Sequence, residues 1–249
     1  MIKVELIGSS GFLGRHISQF LARETGISIS NWSRDNNGSI LKKFNYENKF
    51  LHDKPNILIN TAWISNSFSN YQDEEINFEY AHNEIDLIKY CTSHKIRYIG
   101  LGTIHEQYLS NNIYFESKKI VEDYFKEKKP NNSLLIRPSC IFSFAEEKPR
   151  LLKSFLGSNM DANEFPLTNE FIQLDWIAIE DVCRLVVALA LSEKEGIFDI
   201  RSNHVMNPRD FLKKIELHFI EFPALDITHD IRSQFDSTYD YPITTSVLG

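Results

Sequence analysis

Ile2-Lys-Val-Glu-Leu-Ile7-Gly8-Ser-Ser-Gly11-Phe-Leu-Gly14 is an apolar run of strand length that breaks into three glycines, each three residues from the next. From Phe12 to Arg23 the apolar residues recur at the spacing of one helix face. A buried strand that turns through glycines into a helix is the opening unit of a parallel α/β sheet. Each glycine has a separate task in that turn. Gly8 permits the sharp change of direction, Gly11 lets a pyrophosphate approach the backbone, and Gly14 lets the helix pack closely on the strand. The N–H groups at the start of the helix, around Ser10, Phe12 and Leu13, then face the phosphates of a dinucleotide.

The same alternation continues outward from this unit. Ile27–Trp32, Asn56–Ala62, Arg97–Gly102 and Ser133–Arg137 read as strands, the last closed by Pro138. Residues 74–94 and Tyr114–Lys128 carry the apolar spacing of helices. Strands alternating with helices predict a doubly wound parallel sheet in the α/β class. Beyond Pro138 the pattern loosens, and residues 139–175 hold Gly, Pro and Asn with only short apolar runs, as in a segment folded over a site. Glu180-Asp181 opens another apolar helix, Gly196–Ile200 reads as a short strand, and Asn207-Pro208 caps a last helix. The expected layout is a dinucleotide-binding core over residues 1–140 and a small substrate-binding lobe over 141–249, interleaved with the core.

The chain has 249 residues, 42% hydrophobic and 24% charged, which suits a globular protein with a sizeable core. A net charge of −7 argues against nucleic acid or an anionic membrane as partner. Three scattered cysteines without a Cys-x-x-Cys pair suggest neither a disulfide framework nor a zinc site. No metal is expected. The longest apolar run, Val182–Leu191, is interrupted by Arg184 and is too short to cross a bilayer. With a strand beginning beside Met1, no signal peptide is expected, and the cytoplasm is the expected compartment.

Residues 114–118 read Tyr-Phe-Glu-Ser-Lys. On a helix, Tyr114 and Lys118 lie one turn apart on the same face. The ammonium lowers the cost of a tyrosinate and can hold a ribose hydroxyl. Thr103, eleven positions upstream of Tyr114, can supply the hydroxyl that orients a substrate carbonyl. Together these three make a proton relay for carbonyl reduction or alcohol oxidation. His105 and Glu106 follow Thr103 closely enough to line a substrate pocket, although ordinary loop polarity explains them as well. The second strand ends Trp32-Ser33-Arg34-Asp35. Ser33 and Arg34 suit the 2′-phosphate of NADP, while Asp35 keeps NAD open.

Gly-x-x-Gly-x-x-Gly at Gly8, Asn60-Thr61-Ala62-Trp63, Leu101-Gly102-Thr103 and Tyr114-x-x-x-Lys118 together resemble the extended short-chain dehydrogenase/reductase family, the NAD-dependent epimerase/dehydratase group. Arg137-Pro138, Asp175–Val182 and Gly196–Ile200 extend the likeness over nearly the whole chain. The resemblance implies a Rossmann fold, with Tyr114 as general acid or base and Lys118 holding the nicotinamide ribose. It implies that Thr61, Ala62 and Trp63 line the cofactor cleft and that Asn83 buttresses it. Pro138 and Ser139 would lie near the nicotinamide, with Ser139 towards the substrate. In sugar-nucleotide 4,6-dehydratases of this family the catalytic Thr is followed by Asp and Glu. Ile104 and His105 stand there, which speaks against dehydration.

The expectation is an NADPH-dependent reductase of a ketone on a nucleotide-activated sugar, for example a 4-keto-6-deoxyhexose. A nucleotide-sugar epimerase with tightly bound NAD and a non-catalytic nucleotide sensor are the alternatives. Relatives often dimerise through helices equivalent to 74–94 and 114–128, so a homodimer is implied as well.

Overall fold

The computed structural model describes residues 1–33, 49–50, 53–64, 73–104, 112–143, 173–207, 210–211 and 214. The chain divides into two compact units. The first contains Met1–Pro138 and Ile179–Ile200, and the second contains Ser139–Ala178 and the segment that begins at Arg201.

The first unit is built on β1 (Ile2–Ile7), β2 (Ile27–Trp32), β3 (Ile57–Asn60), β4 (Arg97–Leu101), β5 (Ser133–Pro138) and β8 (Gly196–Ile200). These six strands form one sheet in the order β2-β1-β3-β4-β5-β8, with every neighbouring pair parallel. Its helices are α1 (Phe12–Leu21), α2 (Glu74–Ser93), α3 (Ile113–Lys128) and α4 (Ile179–Ala190). The helix α1 packs against α4, and α2 packs against α3, giving the two helical layers of a doubly wound fold. Strands β3, β4 and β5 are buried along their whole length, as expected where helices cover both faces of a sheet.

Most boundaries follow local chemistry. Helix α1 ends at Leu21, two residues short of the expected Arg23, because Arg23 N–H turns back to the Phe20 carbonyl at 3.1 Å. Asp73 caps α2 by accepting from the Ile76 N–H, and Asn112 caps α3 by accepting from the Phe115 N–H. Helix α3 stops where Lys129 takes a left-handed conformation, φ 43°. Arg97, buried at the start of β4, donates to the carbonyls of Leu189 at 3.1 Å, Ala190 at 2.9 Å and Lys194 at 2.6 Å. A guanidinium there satisfies the open carbonyls at the end of α4 and complements its dipole. A second buried cluster ties three elements together. Arg137 of β5 bonds Glu122 of α3 and Asp199 of β8, each at 2.7 Å.

The register aligns the carboxyl ends of the strands. Ile7 lies opposite both Trp32 and Asn60, Asn60 opposite Gly100, and Pro138 opposite Ile200. The residues immediately after those positions are therefore gathered along one edge of the sheet. The strand order reverses direction between β1 and β3, the point where doubly wound sheets open a crevice.

In the second unit, β6 (Cys140–Phe142), β7 (Leu174–Ala178) and β9 (Val205–Met206) form a small mixed sheet. Its core is aromatic. The Trp176 ring stacks on Phe211 with centroids 4.0 Å apart, and Phe142 meets Phe211 edge-on at 4.9 Å. Asn207 caps the following helical turn by accepting from the Asp210 N–H at 2.8 Å. Cys91, Cys140 and Cys183 are buried free thiols. Among the described residues, no helix is long and apolar enough to cross a membrane.

Candidate active site

The turn after β1 is held by backbone hydrogen bonds. The Trp32 carbonyl accepts from the N–H groups of Gly8 at 2.8 Å and Ser9 at 3.1 Å, and Gly11 N–H returns to the Gly8 carbonyl at 2.9 Å. Gly8 has φ +83°, and a Cβ there would lie 2.7 Å from Thr61 Oγ1. At Gly14 a Cβ would lie 2.1 Å from the Gly8 carbonyl oxygen and 2.8 Å from Thr61 Oγ1. The helix therefore sits directly on the turn, and only a glycine fits between them. Thr61 fastens the other side, donating from Oγ1 to the Ile7 carbonyl at 2.8 Å and through its own N–H at 2.9 Å.

Helix α1 begins at Gly11 with no side-chain cap and no acidic residue in its first turn. An uncapped helix start with no carboxylate nearby is suited to a phosphate group. Ser10 and Gly11 are exposed, while Phe12 and Leu13 are half-buried. Ser33 is exposed just past β2. Arg34, His105 and Glu106 lie outside the described residues.

Strand β4 delivers Thr103, half-buried, two residues past its end. Helix α3 presents Tyr114 half-buried in its first turn and Lys118 buried one turn later. Lys118 Nζ donates to the Leu101 carbonyl at 2.6 Å, so the lysine is pinned to the strand that leads into Thr103. The same ammonium lies 3.5 Å from the centre of the Trp63 ring, a cation–π contact with the segment after β3. The ends of β1, β3 and β4 and the start of α3 thus come together at one edge of the sheet.

Two orphaned donors test whether a polar ligand fits here. Among the described residues, Trp63 Nε1 and Asn83 Nδ2 are both buried without a hydrogen-bond partner. Buried donors are almost always satisfied, so Trp63 Nε1, on the ring beside Lys118, can take an acceptor atom of a bound ligand. The glycine turn, the uncapped α1 and these donors are compatible with a dinucleotide. Pro138 closes β5 and is buried. Ser139 is the first residue of the second unit, buried, with an Oγ that lacks a partner among the described residues.

A family model for the NAD dependent epimerase/dehydratase family matches residues 4–200. The chain belongs to this family. As a family member it is an NAD(P)-dependent enzyme of the short-chain dehydrogenase/reductase type. Solved structures with the same fold include a dTDP-4-dehydrorhamnose reductase ortholog from Clostridium acetobutylicum, with a TM-score of 0.68 at 14% identity, covering 87% of this chain and 80% of that one. A UDP-N-acetylglucosamine 4-epimerase from Bacillus cereus has a TM-score of 0.66 at 15% identity, covering 98% of this chain and 93% of that one. A dTDP-glucose 4,6-dehydratase from Bacillus anthracis, solved with NAD, has a TM-score of 0.66 at 14% identity, covering 88% of this chain and 81% of that one. At these identities the likeness establishes the fold. No curated protein matches the chain.

Several polar residues around this candidate site are not evident from motif spacing. Glu84 of α2 is buried, and its Oε1 accepts from the Tyr98 hydroxyl at 2.6 Å. Asn60 donates to the Tyr98 hydroxyl at 3.4 Å and accepts from the Ala62 N–H at 3.0 Å. Burial pushes the Glu84 carboxyl above its ordinary value, while the Lys118 ammonium, Tyr98 and Asn60 pull it back. Burial and then Glu84 push the Tyr98 phenol up in turn. One signal could have found Glu84. Positions 77, 80, 81, 84, 87, 88 and 91 form the buried face of α2, and an acid stands in the middle of it.

Proposed function

We propose that the chain is an NADPH-dependent reductase of a ketone on a nucleotide-activated sugar, with Thr103, Tyr114 and Lys118 as its proton relay. The observation that carries this reading is the buried Lys118, one turn from Tyr114 and bonded to the Leu101 carbonyl two residues before Thr103. A bound nicotinamide supplies the hydride. Thr103 holds the substrate oxygen by donating a hydrogen bond to it. Tyr114 gives its phenolic proton to that oxygen as the carbonyl becomes an alcohol. Lys118 keeps the resulting phenolate affordable in energy and binds the ribose. The turn at Gly8–Gly14, with Thr61, Ala62, Trp63 and Asn83, is assigned to the dinucleotide.

NADP rather than NAD follows from Ser33 and Arg34 in the sequence after β2. The solved relatives include proteins described with NAD, from Bacillus anthracis and Thermus thermophilus. His105, Glu106 and Ser139 are assigned to the substrate, and a 4-keto-6-deoxyhexose is one example. A cytoplasmic homodimer through α2 and α3 completes the reading.

A second reading, a nucleotide-sugar epimerase with retained NAD, is favoured by relatives described as 4-epimerases. The two separate in one experiment. Deuteride from labelled NADPH should enter the product of a nucleotide keto-sugar with a single stereochemistry. Tight NAD in the purified protein, with turnover that leaves no net hydride in product, replaces the reductase by the epimerase. In addition, Arg34→Ala should weaken NADPH binding roughly ten- to a hundredfold and spare NADH. Equal affinity of the unmodified protein for both removes the case for NADP.

A further inference from the structure

Lys118 of the relay bonds the Leu101 carbonyl, and Gly100, the residue before Leu101, faces a carboxyl group to which the relay assigns no task. Glu84 is 1% exposed on the inward face of α2. Its place is built rather than incidental. Gly100 of β4 leaves the space the carboxyl enters, since a Cβ at Gly100 would lie 2.9 Å from Glu84 Oε1. Tyr98 is fully buried and directs its hydroxyl at that same oxygen, and Asn60 supports Tyr98 from β3. A leucine at position 84 would fill the buried face of α2 without desolvating an acid.

We propose that Glu84 is a positioning residue that acts through Lys118, its carboxyl sharing the ammonium charge that would otherwise bear fully on Tyr114. The proposal rests on the relay reading above. Lys118 is held at two points, the Leu101 carbonyl and the face of Trp63, and it lies within the field of Glu84. The carbonyl and the ring fix where the ammonium sits. The carboxyl sets how much of its charge is left over. With Glu84 ionised, part of that charge is cancelled and the Tyr114 phenolate is less favoured. With Glu84 protonated, Tyr114 feels the whole of it.

The titratable groups acting on Glu84 are Lys118 from α3 and Tyr98 from β4, and β3 contributes the neutral Asn60. Cys91, on the same helix as Glu84, acts on Tyr98. Burial favours the protonated carboxyl and outweighs Lys118, Tyr98 and Asn60, which favour the ionised one.

The test reads Tyr114 itself and needs no substrate. Tyrosinate absorbance of the full chain is followed against pH for the unmodified protein and for Glu84→Gln. From each curve that of the same protein carrying Tyr114→Phe is subtracted, which isolates one of the ten tyrosines. Glu84→Gln keeps an acceptor for Tyr98 and removes the charge. It should lower the Tyr114 midpoint by about one pH unit, the low end of what a nearby opposing charge does. In a Lys118→Met background most of that shift should vanish. An unchanged or raised midpoint overturns the proposal, as does a shift that survives intact without Lys118. Should Glu84→Gln fail to fold, Tyr98→Phe serves. Losing that donor leaves Glu84 protonated to higher pH, so the Tyr114 midpoint should again fall, by less, and no fall overturns the proposal. Turnover of Tyr114→Phe judges the relay separately, so the two readings fail by different measurements.

Discussion

Replacing Gly14 by alanine tests the join between α1 and the glycine turn with a single methyl group. The added Cβ would lie 2.1 Å from the Gly8 carbonyl oxygen, 2.8 Å from the Gly8 carbonyl carbon and 2.8 Å from Thr61 Oγ1. Real Cβ atoms essentially never approach a heavy atom closer than 3.0 Å, and the nearest obstacle is backbone that no rotamer change can move. Helix α1 must therefore back away from the turn, or the turn must open. Overpacking of this kind costs about 1–3 kcal/mol, and backbone pressed on backbone belongs at the upper end. With a dinucleotide bound as proposed, the same displacement would move the first N–H groups of α1 off its pyrophosphate. Losing one hydrogen bond to a charged group costs about 1.5–3 kcal/mol, roughly ten- to a hundredfold in dinucleotide affinity. Urea unfolding without ligand reads the first effect, and fluorescence titration with NADPH reads the second. Gly11→Ala is the comparison. Its Cβ would meet only the Gly8 oxygen at 3.1 Å, and its φ of −72° suits any residue, so stability should change far less. If Gly14→Ala kept both its urea midpoint and its NADPH affinity, the close packing of α1 on the turn would be refuted. A loss of stability with unchanged affinity would keep the packing and remove the pyrophosphate from the start of α1.

The parallel sheet was legible because its signal is local. Each of β1, β3, β4 and β5 is a short apolar run bounded by a turn residue, and Gly8, Gly11 and Gly14 announce the first crossover. Tyr114 and Lys118 were legible because helical spacing alone places them on one face. What lay beyond reach depends on residues far apart in the chain. Strand β6 has three residues and β9 has two, too few to carry a period, and each is defined by its pairing with β7. The ring of Phe211 stacks on Trp176 across 35 positions of sequence that no pattern links. Arg137 was read as half of an Arg-Pro signature, but its tie to Glu122 and Asp199 is set by how α3 and β8 flank β5. Glu84 stands at a core position of α2, where an acid looks like an exception to the apolar stripe. It becomes intelligible only when Tyr98 and Gly100 of β4 are brought against it.

The relay predicts a graded series. Tyr114→Phe should keep dinucleotide binding and lower turnover by about 10²–10⁴-fold, as loss of a positioned acid does, and full turnover would rule the relay out. Lys118→Met should lower turnover and dinucleotide affinity together, and Thr103→Val should cost about 2.7–4 kcal/mol in the chemical step, both read from steady-state kinetics with binding titrations. Arg137→Met removes the buried guanidinium from Asp199 and one of the two cations from Glu122, which keeps Lys126, and should cost about 3–5 kcal/mol of stability by urea unfolding. An unchanged urea midpoint would mean that this cluster does not tie α3 and β8 to β5. The stability of the protein should also report Glu84 through pH. The carboxyl has an ordinary value of 4.5 and is raised in the folded chain, chiefly by burial. Between 4.5 and that raised value the folded state holds a proton that the unfolded state has released. Stability contributed at Glu84 is therefore complete below 4.5 and is lost as pH rises through the folded value, by about 1.4 kcal/mol for each unit of upward shift. Glu84→Gln has no proton to release. Its stability relative to the unmodified protein should thus increase from acid to neutral pH, measured by urea unfolding at a series of pH values. A difference that stays flat, or that runs the other way, means the folded chain holds Glu84 ionised against Lys118 throughout, and the carboxyl is then one half of a fixed ion pair.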